Sequence, residues 1–106
     1  MQRGAVYYNN QLAGHLEKHG PEEYIFKYED GYFADPTTKS ISLTLPKKQQ
    51  VYTSSRLFSF FSGLLSEGIN KRIQCRLLKI DENDDFTRLI KTAGDDTIGA
   101  ITIKEV

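Results

Sequence analysis

The apolar side chains of this 106-residue chain recur at every second position up to about residue 54. Beyond that point they recur every three or four, and the last residues return to a strand-like composition. A period of two fits a pleated strand with one buried face, and a period near 3.6 fits a helix with one buried stripe. Strands, then helices, then a strand predict an α+β fold. The expected architecture is a small, mostly antiparallel sheet, built from the N-terminal strands plus a C-terminal strand and packed with about three helices. The length suits one core that buries about two thirds of the unfolded surface, so residues 1 to 106 are expected to form a single domain.

Within the first half, Ala5 to Tyr8 reads as a strand, Asn9-Asn10-Gln11 as a turn, and Leu12 to Leu16 as the return strand of a hairpin. Gly20 and Pro21 end it. Glu23 to Tyr28 carries the clearest alternation, with Tyr24, Phe26 and Tyr28 on one face. Glu29-Asp30-Gly31 is expected to turn, with Tyr32-Phe33 extended after it. Ile41, Leu43 and Leu45 alternate with Ser40, Ser42 and Thr44 and predict a fourth strand stopped by Pro46, followed by a loop over Lys47 to Ser54.

The segment LFSFFSGLLSEGINKR, Leu57 to Arg72, concentrates the apolar residues. A first helix is expected from Arg56 to about Leu65, capped by Ser54 or Ser55. Gly68 is a plausible break. Ile69, Ile73, Leu77 and Ile80 then follow the spacing of a core stripe on a helix from Ile69 to Ile80, with Arg72, Arg76 and Lys79 on another face. Asp84 or Asp85 caps a third helix holding Phe86, Leu89, Ile90 and Ala93, with Lys91 near its end and Gly94 as its stop. Ile98 to Ile103 completes the pattern as a buried strand.

Fourteen basic residues balance fourteen acidic ones, which does not match the charge of a general nucleic-acid binder. The charge is unevenly spread: residues 47 to 79 are net plus six and residues 80 to 106 net minus four. Solvated helix faces account for this, and a phosphate or acidic-partner site is the sharper alternative. No phosphate loop, kinase signature or nucleophile elbow is present. Neither catalysis nor a cofactor is expected. His15 and His19 stand four apart in strand and turn, where that spacing does not converge on a metal. Cys75 reads as a small core filler, and the carboxylates of residues 81 to 96 lack the spacing of a calcium loop, so no metal site is expected. The lone cysteine and an N-terminus without an apolar export signal point to the cytoplasm.

A further observation concerns order. Val6, Gly14 and Leu16 in the hairpin, Phe26 and Tyr28, the run Ile41-Ser42-Leu43-Thr44-Leu45-Pro46, Phe60-Phe61, the turn Leu64-Leu65-Ser66-Glu67-Gly68, Asp85-Phe86 and the run Gly94 to Ile101 follow one another. This succession resembles the N-terminal subdomain 1 of HipA-type serine/threonine kinases, nearly end to end. In those toxins the subdomain is fused to a kinase body, and this chain ends at Val106 where such a body would start. The arrangement looks like the three-gene form, with a HipS-like small protein, a shortened HipT-like kinase and a HipB-like helix-turn-helix protein. The resemblance implies an antitoxin that binds and inhibits the HipT-like kinase, with DNA binding left to the HipB-like component. Two alternatives are an accessory module that stabilises or activates the kinase, and a small nucleic-acid-binding accessory protein using Lys47, Lys48, Arg72, Arg76 and Lys79.

Partner contact is expected at Phe58, Ser66, Glu67, Gly68, Ile69 and Arg72. For Phe58 the competing reading is core packing, for Glu67 and Ile69 an ordinary turn, and for Arg72 a solvated cation. The family commonly has Leu-Leu-Pro-Glu-Gly followed by an aromatic residue. Here Ser66 replaces the proline, which removes a φ constraint, and Ile69 replaces the aromatic ring.

Overall fold

Two asparagines reverse the chain after its first strand. Asn9 and Asn10 have φ of 48° and 67°, the double positive φ of a two-residue type I′ hairpin turn, which matches the twist of the strands on either side. The strands so joined are β1 (Gln2–Tyr8) and β2 (Gln11–Gly20), both longer than the sequence pattern suggests. The computed structural model describes residues 1–65, 69–81, 83–92 and 100–106, apart from the side chains of Ile69, Asn70, Gln74 and Thr92.

β3 (Glu23–Tyr28) follows, then a short helix α1 (Asp30–Ala34), β4 (Val51–Ser54), α2 (Ser59–Ser62), α3 (Ile69–Leu78), α4 (Asp85–Thr92) and β5 (Ile101–Glu105). The five strands form one antiparallel sheet in the order β4-β3-β2-β1-β5. The α+β architecture is therefore present, with four helices among the described residues against about three expected.

One face of the sheet carries the core. Val6, Leu16, Phe26, Tyr28, Ile101 and Ile103 from the strands meet Phe61 of α2 and Phe86, Leu89 and Ile90 of α4, all within 6% of full burial. Each such side chain contributes about 1.5–3 kcal/mol through removal from water. Aromatic edges organise the middle: the Phe26 ring lies 4.9 Å from Tyr28 and 5.7 Å from Phe61. α4 starts as its sequence predicts, because Asp84 accepts from the Thr87 backbone N–H at 3.1 Å and from the Thr87 hydroxyl at 2.7 Å. Its expected end, Ala93 and Gly94, and the expected start of the last strand, Ile98 and Gly99, lie outside the described residues.

Three expectations are corrected. Tyr32-Phe33 is helical, since the Glu29 carboxylate accepts from the Tyr32 N–H at 3.1 Å and caps α1. Ile41 to Leu45 is a turn and no strand: the Tyr28 hydroxyl donates to the Leu45 carbonyl and accepts from the Ile41 N–H, tying the two ends of the segment to one phenol. Ser42 Oγ accepts from the Thr44 N–H, a local bond that competes with a sheet ladder. Ile41 and Leu45 are accordingly buried and Leu43 is 99% exposed. The fourth strand is Val51–Ser54, inside the segment read as a loop, where Gln50 binds the Tyr28 carbonyl through its side chain at 3.0 Å and so brings the chain beside β3.

Candidate functional site

The stretch expected to meet a partner is divided by the fold. Phe58 precedes α2 with an extended backbone, and its carbonyl accepts from the N–H groups of Phe61 and Ser62 at 3.0 and 3.1 Å. The helix is four residues long, against the ten expected. Phe61 is fully buried, with the Phe58 ring at 6.2 Å and the Phe60 ring at 5.2 Å, both near perpendicular. Phe58 and Phe60 are half-buried against the core together with Leu57, Leu64 and Leu65. Phe58 thus packs on the core through one side, while the other lines an open groove of about 340 Å³ shared with Thr44, Leu45, Arg56 and Leu57.

Ser66, Glu67 and Gly68 lie outside the described residues, and Ile69 is described only as the first residue of α3. Arg72 sits on the first turns of that helix with its side chain in solvent. It lines a second groove, about 360 Å³, with Cys75, Arg76 and Ile80.

α3 departs most from its sequence reading. Ile73 is 48% exposed and Leu77 is 75% exposed, so these members of the predicted core stripe do not enter the core, and Leu78 beside them is 47% exposed. Cys75 is the buried position, at 4%. The helix ends at Leu78 and not at Ile80 because Lys79 turns left-handed, with φ of 55°. The Ile80 N–H then bonds the Cys75 carbonyl at 2.9 Å, the six-to-one bond of a Schellman cap.

Arg88, which the sequence reading passed over, is 1% exposed, and its guanidinium donates to Asp85 at 3.1 Å. Its position between Phe86 and Leu89 on α4 was the available signal. Burial on the outer face of the sheet lowers the His15 pKa, and the nearby Arg3 cation lowers it further, against smaller upward effects of Glu17 and Glu29. His19 instead contacts Glu17 at 2.7 Å.

Comparison with known proteins places this geometry. The family model described as the HipA N-terminal domain matches residues 4–104. Among curated proteins, the kinase-named Y4mE of Sinorhizobium fredii (strain NBRC 101917 / NGR234) is 24% identical over 98 residues, which is 92% of this chain and 23% of that protein. The chain thus spans less than a quarter of that relative's length. Among solved structures, the N-terminal domain of HipA toxin superposes with a TM-score of 0.74 at 26% identity, covering 100% of this chain and 93% of that one. With the five-stranded sheet and the matched span in agreement, the chain belongs to the HipA N-terminal domain family.

Proposed function

We propose that this protein is a HipS-like antitoxin: residues 1 to 106 act as one domain that docks on a HipT-like serine/threonine kinase in the cytoplasm and restrains phosphoryl transfer. The observation that carries the reading is the match over residues 4–104 to a domain found in the HipA toxin and, at 23% coverage, in a larger kinase-named protein. In this reading the chain has no catalytic residues of its own and needs no cofactor. It works as a removable piece of a kinase, supplied separately, and a HipB-like helix-turn-helix protein in the same complex supplies DNA binding. Phe58 supports a docking role, since it is half-buried and lines an open groove. Ser66 to Ile69 remain the proposed continuation of that contact.

The test is co-expression. A HipT-like kinase from the same genome should arrest growth when produced alone, lose that effect when the chain is supplied, and co-purify with it. Rescue without co-purification would remove the docking mechanism. Deeper arrest on co-expression would reverse the sign and make the chain an activator.

A further inference from the structure

Among the described residues, nothing covers the apolar side of α3. Ile73 and Leu77 lie one turn apart and Leu78 adjoins them, and all three are about half exposed or more. Side chains three and four apart share a helix surface, so Ile73 and Leu77 make a continuous strip. The same helix, INKRIQCRLL, carries Lys71, Arg72 and Arg76 and no carboxylate. Arg72 and Arg76 line the groove beside Cys75 and Ile80. Among the described residues, the ion pairs leave both guanidinium groups unengaged.

We infer that α3 is a docking helix, and that Ile73, Leu77 and Leu78 cover an apolar surface of the kinase partner whose carboxylate enters the Arg72–Arg76 groove. This rests on the functional reading above. Charge selects the occupant. A second copy of this chain would bring Lys71, Arg72 and Arg76 against their own equivalents, which like-charge repulsion opposes. A nucleic acid would satisfy the cations and leave the three apolar side chains in water. A surface that is apolar at its centre and acidic at its rim satisfies both halves of the helix.

The inference is tested by titrating the kinase used for the growth assay, in inactive form, with the full-length chain and its variants. Leu77→Asp should weaken binding about tenfold or more, as expected for a buried interface anchor. Because Leu77 is 75% exposed, the variant should keep the wild-type circular dichroism spectrum and melting temperature. Arg72→Glu with Arg76→Glu should weaken binding comparably at low salt and flatten its salt dependence. Glu22→Gln, at the exposed turn between β2 and β3, should bind as wild type.

Wild-type binding that both α3 variants retain would overturn the docking helix and leave the antitoxin reading standing. Failure of the wild-type chain to bind would overturn both. A sedimentation shift at micromolar concentration that Leu77→Asp abolishes would make a second copy the occupant, and co-sedimentation with phosphatidylserine vesicles would make it a lipid surface. Either result overturns the kinase assignment.

Discussion

At the scale of single residues, two positions set conditions on the sheet. Gly14 pairs with Val6 on one side and Tyr28 on the other. A Cβ there would stand 2.4 Å from the Lys27 carbonyl oxygen and 2.9 Å from the Phe26 ring, and the backbone oxygen cannot yield as a flexible side chain would. Gly14→Ala should therefore cost about 1–3 kcal/mol, read as a lower midpoint in urea at unchanged slope. His15 sets a pH condition. Its folded pKa lies below the ordinary 6.5, first through burial and then through Arg3, so below that value the unfolded chain binds the proton more readily. The stability contribution of His15 is present above pH 6.5 and is lost as pH falls through the folded pKa. His15→Gln should flatten the fall in melting temperature between pH 7 and pH 5.

At the scale of elements, the connection from α1 to β4 is held by side chains and not by a ladder. Lys47 Nζ donates to the Asp35 carbonyl at 2.6 Å and to the Thr38 carbonyl at 3.1 Å, while Tyr32 donates to the Lys39 carbonyl at 2.5 Å. Tyr28→Phe removes the phenol that joins Ile41 to Leu45 and leaves buried backbone groups without it. A loss of about 1–3 kcal/mol is expected. Leu43→Ser, one residue from the same turn, should change stability by less than about 0.5 kcal/mol, because that side chain is already in water. Alternation cannot distinguish these cases: Ile41, Leu43 and Leu45 have the spacing of a strand, and a hydroxyl 13 residues earlier in the chain decides otherwise. β3 and the start of α4 were legible because their signals are local, an aromatic alternation and an aspartate cap. β4 was not, since Val51-Tyr52-Thr53-Ser54 acquires its strand from pairing with β3. For α3 the spacing correctly gave a helix with an apolar face, yet spacing says nothing of what the face meets. Of the expected contact residues, Phe58 lines the groove beside α2 and Arg72 the groove beside Cys75.

At the scale of the molecule, the first and last strands are neighbours. β5 pairs antiparallel with β1, with Gly4 opposite Glu105 and the Val106 N–H on the Arg3 carbonyl at 3.1 Å. Core and sheet therefore depend on a contact between residues about a hundred positions apart, which closes the largest loop in the chain and should make β5 docking a late folding step. Ile103→Ala, at the centre of that strand and fully buried, should cost about 2–5 kcal/mol and act mainly by speeding unfolding, as measured from the unfolding limb of a chevron. The same adjacency has a mechanical meaning. A pull applied between residues 1 and 106 loads the β1–β5 hydrogen bonds one after another, as a zipper is opened, and not all together in shear. In an optical trap the strand pair should part at low force before the β1–β2–β3 meander yields, so the molecule would detach its last strand under tension while the remaining sheet stays closed.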